Sequence, residues 1–78
     1  MTITDARIAR GYSGYDHLLD DSPLEAMAGQ SYRDVAAAAR AAGRYLRGTQ
    51  DQRCAGAPVI LTDDAGNGWR RWTDGTAA

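Results

Sequence analysis

The chain contains no lysine, one histidine and one cysteine, and each scarcity removes a class of protein. A lone Cys54 excludes an internal disulfide and fits a reducing compartment. One cysteine and one histidine cannot supply the usual ligand set of a zinc site. His17 is the sole imidazole, and a general base needs an orienting partner and a nucleophile. Asp16 and Asp20 are near it in sequence and Ser13 offers a hydroxyl, but the layout resembles no triad. Arg53 beside Cys54 favours a thiolate, yet only His17 exists as its base. Gly11 and Gly14 bracket a loop that has neither the lysine of a phosphate loop nor the glycine spacing of a dinucleotide fold. Asp16, Asp20, Asp21 and Glu25 do not follow the alternating spacing of a calcium loop. Asp63 and Asp64, followed by Gly66, Asn67 and Gly68, lack its distal acidic ligand. No apolar run is long enough to span a membrane, and residues 1–5 lack the basic-then-apolar layout of a signal peptide. These absences predict a soluble cytoplasmic protein that is not an enzyme and needs no cofactor or metal.

What remains is a chain of 78 residues, read as one small domain over 1–78. A domain of this size buries roughly 60% of its unfolded surface, so its core is thin. The net charge of −1 conceals a segregation. Residues 11–32 carry Asp16, Asp20, Asp21 and Glu25 and no arginine. Residues 33–53 carry five arginines against Asp34 and Asp51. All nine basic residues are arginine, as a GC-rich coding sequence favours, so the positive groups are planar, bidentate donors suited to carboxylates and phosphates.

The strongest local signal is an amphipathic helix over about 31–47. Ser31 is its expected cap, with Asp34 near the positive end of the macrodipole and Gly48 as the left-handed stop. At 100° per residue Val35, Ala39, Ala42 and Leu46 share one side; Arg33, Arg40, Arg44 and Arg47 share the other. Gly43 weakens the helix by about 1 kcal/mol relative to alanine, which suggests that another element packs close there. A shorter helix over about 22–28 begins with Ser22 and Glu25 placed as a capping box, with Pro23 at the first helical position and Gly29 after the end. Residues 58–73 predict a β-hairpin: an apolar run at 59–62, turn formers at 63–68, and a second strand from Trp69. Residues 2–10 fit a strand, with Ile3, Asp5 and Arg7 on one side and Thr4, Ala6 and Ile8 on the other. They also fit a short helix. Residues 74–78 are expected to fray. The predicted class is α+β, the main helix lying on a small antiparallel sheet.

Two surfaces suit a partner. One is the arginine row. The other is the strand Trp69, Arg70, Arg71, Trp72, whose alternation puts Trp69 with Arg71 and Trp72 with Arg70, so that one tryptophan enters the core and the other faces out beside an arginine. In size, lack of catalytic groups, segregated charge and the Trp69–Trp72 strand, the chain resembles the small inhibitor proteins of phages and mobile elements, the anti-CRISPR proteins in particular. The resemblance implies a non-catalytic blocker of a larger protein or ribonucleoprotein complex that handles nucleic acid. Asp16, Asp20, Asp21 and Glu25 would then imitate phosphates, or the arginines would seize an acidic surface. A small nucleic-acid-binding regulator of the antitoxin kind is the other expectation, and the net acidic balance disfavours it. A thin core, an open sheet edge and complementary charge blocks favour a homodimer.

Overall fold

The computed structural model of the chain describes residues 1–12, 14–50 and 56–78. Ser13, Asp51, Arg53 and Cys54, weighed above for chemistry and charge, lie outside the described residues.

The N-terminal segment is a strand, not a helix. β1 (Ile3–Ile8), β2 (Val59–Asp63) and β3 (Gly68–Arg71) form one antiparallel sheet in the order β1-β2-β3, and β2 with β3 is the expected hairpin. Helix α1 (Val35–Leu46) and a 3-10 segment (Ser22–Met27) supply most of the buried groups that pack on the sheet. Ile3, Ile8, Val59 and Leu61 meet Leu24, Met27 and four helix alanines (Ala38, Ala39, Ala41, Ala42) in a single core, with Leu19 at its margin. The class is α+β.

The side assignment in β1 needs correction. The pairing runs Ile8↔Val59 to Asp5↔Thr62 and then slips to Ile3↔Asp63, leaving Thr4 as an extra residue. A bulge of this kind shifts the side-chain alternation by one. Ile3 therefore joins Ile8 in the core, although strict alternation opposes them. The Thr4 hydroxyl, turned back to the pair, lies 3.3 Å from the carbonyls of both Thr62 and Asp63 and donates to them.

Both predicted helix caps are displaced. α1 begins four residues later than the pattern suggested. Its cap is Asp34, whose Oδ1 accepts the Ala37 N–H at 2.8 Å. Ser31 instead pairs with Thr2 beside β1, the two hydroxyl oxygens 2.9 Å apart. The capping box at Ser22 does not form. The cap position is Asp21, which makes no side-chain capping bond, and the Ser22 N–H donates to Asp20 Oδ1 at 3.0 Å. The segment is 3-10 in geometry and ends at Met27, with Gly29 at a φ of 83° just beyond. We expect Asp34→Ala to cost about 1 kcal/mol in chemical denaturation, and Ser31→Ala distinctly less. Equal losses would contradict this cap assignment.

The sheet edges are less open than expected. Residues 29–32 run beside the start of β1: Ile3 N–H donates to the Gln30 carbonyl at 2.9 Å, and Gly29 N–H to the Ile3 carbonyl at 2.7 Å. Further along, the Ile8 N–H donates to Asp21 Oδ2 at 3.3 Å. On the other edge the C-terminal residues do not fray. They turn through Asp74 and Gly75 and return along β3. Trp72 N–H donates to the Thr76 carbonyl at 2.9 Å, and Ala78 N–H to the Arg70 carbonyl at 3.2 Å. Covered edges of this sort discourage strand addition.

The close approach expected at Gly43 is present. A Cβ there would sit 2.9 Å from Thr73 Cβ, inside the C-terminal turn. Alanine would add helix propensity worth about 1 kcal/mol, against about 1–3 kcal/mol for overpacking. Because Thr73 is held in a hydrogen-bonded turn, we expect Gly43→Ala to be net destabilising. In a Thr73→Gly background the same change should become stabilising, a reversal that a double-mutant cycle measures.

Candidate binding surfaces

The acidic stretch is largely spent on its own backbone. Asp16 Oδ2 accepts the Gly11 N–H at 2.7 Å, and its Oδ1 is enclosed without a hydrogen bond. Asp21 accepts from Ile8 and lies 3.7 Å from the Arg10 guanidinium. Arg10 also donates to the Asp16 and Leu19 carbonyls, so it ties this loop together from inside. Asp20 is exposed, but its hydrogen bonds from Ser22 hold its carboxyl below the usual aspartate value. The Gln50 side chain brackets the Asp20 backbone, accepting its N–H at 3.1 Å and donating to its carbonyl at 2.6 Å. Glu25 alone of the four is exposed and holds no backbone group. His17 is exposed on a single 3-10 turn, Asp16–Leu18. Among the described residues no three His, Cys, Asp or Glu side chains converge as a metal site, and no helix is long and apolar enough to cross a membrane.

The arginines are disposed differently. Of the eight described, Arg10 and Arg33 have carboxylate partners; Arg7, Arg40, Arg44, Arg47, Arg70 and Arg71 have none. Arg33 precedes α1 and sits 3.5 Å from Asp34, so it does not extend the helical row. Arg40, Arg44 and Arg47 form that row, one helical turn apart and exposed, with Arg47 at the C-cap. Arg40 packs across the C-terminal turn, its Nη1 2.9 Å from where a Gly75 Cβ would lie. Arg44 joins Gln30, Tyr32, Ala41 and Tyr45 around a groove of about 440 Å³. Burial raises the Tyr32 phenol above its usual pKa; the neighbouring Tyr45 adds to the effect and Arg44 opposes it.

The hairpin register separates the two tryptophans as alternation requires. Trp69 pairs with Leu61 and Arg71 with Val59, which puts both on the helix side. Neither tryptophan is fully buried, however. The helix side of the core is built of alanines, and Trp69 is half-buried outside that core. Arg71 is half-buried, its guanidinium donating to the Arg70 carbonyl at 2.9 Å.

Arg70 pairs with Ile60, which pairs with Arg7, so these three form one row across the side of the sheet opposite the helix. Beside them Trp72 meets Tyr12 edge-to-face, ring centres 5.9 Å apart at 84°. Arg70 lies 5.6 Å from the centre of the Tyr12 ring and donates to its hydroxyl at 3.0 Å. Asp5 and Thr62 form the next row. Sequence reasoning missed Arg7, Tyr12 and Ile60 here. The only signal was a bulky aromatic in a glycine-flanked loop, which needs a surface to rest on.

Comparison with protein-family models, with curated proteins and with solved structures gives no significant match to this chain. Fold and surfaces together define a small α+β domain with a row of unpaired arginines on its helix and an aromatic–arginine cluster on the far side of its sheet.

Proposed function

We propose that this protein is a non-catalytic binding protein of the anti-CRISPR kind, which blocks a larger nucleic-acid-handling complex by covering an acidic surface on it. The observation that carries the reading is the unequal use of charge. The carboxylates of 16–21 are drawn into backbone hydrogen bonds, whereas Arg40, Arg44 and Arg47 stand exposed and without carboxylate partners. That favours seizure of an acidic partner over imitation of phosphate. Planar guanidiniums a helical turn apart suit carboxylates on a protein surface. Such a blocker acts in the cytoplasm, where complexes of this kind work. Each sheet edge is partly covered, which disfavours self-association by strand addition.

Affinity purification from the native cell tests the reading. The double variant Arg40→Glu, Arg44→Glu should recover the partner at least tenfold less well, because like charge at a complementary patch repels. Glu25→Lys should leave recovery unchanged. Loss confined to Glu25→Lys would establish the opposite polarity and defeat the proposal.

A further inference from the structure

We infer that the sheet face opposite the helix is a second binding surface, whose ligand is single-stranded nucleic acid. It stands on a different surface from the blocking reading and does not depend on it.

Three features point there together. First, Arg7 and Arg70 are exposed, lack carboxylate partners and flank Ile60 in one cross-strand row. Neighbouring strands lie about 4.8 Å apart, so the roots of these arginines are about 10 Å apart, with long stems that reach neighbouring phosphates. Second, Tyr12 (45% exposed) and the half-buried Trp72 stand at one end of that row, already fixed against each other and against Arg70. Base stacking on aromatics and guanidinium planes, beside cations that follow the backbone, is how single strands are held without sequence preference. Third, the cluster is braced in the free protein. The Trp72 N–H and the Arg70 carbonyl are both hydrogen-bonded to the returning C-terminal residues, so little ordering remains for the ligand to impose. Asp5 lies at the other end from Trp72 and repels phosphate, which orients the strand along Arg7, Arg70 and Trp72. A duplex keeps its bases stacked inside and offers this face only phosphates. An acidic peptide satisfies the arginines but leaves the rings unused.

Fluorescence anisotropy of a labelled twelve-residue oligothymidylate, titrated with the full chain, tests this. Binding at 50 mM salt should weaken about sevenfold at 200 mM, as two phosphate contacts require. Trp72→Ala should weaken it roughly fivefold to a hundredfold. Trp72→Phe should restore most of the loss, which separates stacking from a folding defect. Arg7→Glu should weaken binding at least fivefold, and Arg44→Gln, on the helix and away from the C-terminal turn, should leave it within twofold. No binding at 50 mM salt overturns the inference. So does equal competition by duplex DNA or by polyglutamate, or a loss that follows Arg44 instead of Trp72 and Arg7.

Discussion

Asp63→Ala should destabilise the fold by about 3 kcal/mol, which for a domain this small lowers the melting temperature by roughly 10–20 °C. Asp63 ends β2 on its core-facing side and is 7% exposed, the one buried charged side chain among the described residues. Its Oδ1 accepts the N–H groups of Ala65 and Asn67 at 3.1 and 2.8 Å. Its Oδ2 is 3.4 Å from the Asn67 amide nitrogen. Its own N–H donates to the Asn67 carbonyl at 3.0 Å. One carboxylate thus folds the whole β2–β3 turn and sets the register that places Trp69 and Arg70 on opposite sides. Alanine removes the acceptor and leaves the turn donors without it. Asn preserves one acceptor oxygen and should lose about 1 kcal/mol. Asp64→Ala should stay within about 0.5 kcal/mol, since its side chain is exposed. Chemical denaturation of the three variants checks the order. Equal losses at positions 63 and 64 would remove this carboxylate from its central place.

Gly75→Ala is the second large effect, again about 3 kcal/mol. Gly75 has a φ of 97°, which costs a side-chain-bearing residue about 1–2 kcal/mol. A Cβ there would also lie 3.1 Å from Ala36 Cβ and 3.3 Å from the Ala36 carbonyl oxygen, atoms of the helix that cannot swing aside. That crowding adds about 1–3 kcal/mol. Gly66→Ala separates the two causes. Its φ is 85°, but nothing lies within 4 Å of the added carbon, so only the conformational part should appear. Hydrogen exchange gives an independent measure: in Gly75→Ala the Trp72 and Ala78 amides should lose protection before the Leu61 amide does. The turn also has a pH signature. The Thr76 hydroxyl and N–H donate to Asp74 at 2.6 and 2.9 Å and hold its carboxyl below the usual value. A depressed folded pKa stabilises above the unfolded value, and that share fades as the pH falls through the lower folded one. Loss of the turn's contribution on raising the pH would contradict this.

Features written in local periodicity and in turn chemistry could be foreseen. The alanine seam and arginine row of α1, the stop at Gly48, the β2–β3 hairpin and the opposed tryptophans each depend on residues a few positions apart. Near neighbours impose them wherever the chain goes. What failed is equally instructive. Ser31 and Asp34 both suit a cap, and the choice fell to Asp34 because Ser31 was claimed by Thr2, a residue remote in sequence. Ile3 joined the core through a bulge visible only once β2 was paired with β1. The acidic stretch resembled a display of charge until Gly11, Ile8 and Arg10 came to meet it.

The binding faces follow the same division. Periodicity alone put Arg40, Arg44 and Arg47 on one side of a cylinder. No local rule could bring Arg7, Tyr12, Ile60, Arg70 and Trp72 together, because they come from two ends of the chain and meet through strand pairing. The C-terminal residues are polar and small, with no hydrophobic pattern to announce a structure. They are ordered by hydrogen bonds to β3 and by the space left at Gly43 and Gly75 against α1. Long-range pairing satisfies backbone groups whatever side chains they carry, which is why composition is silent about it.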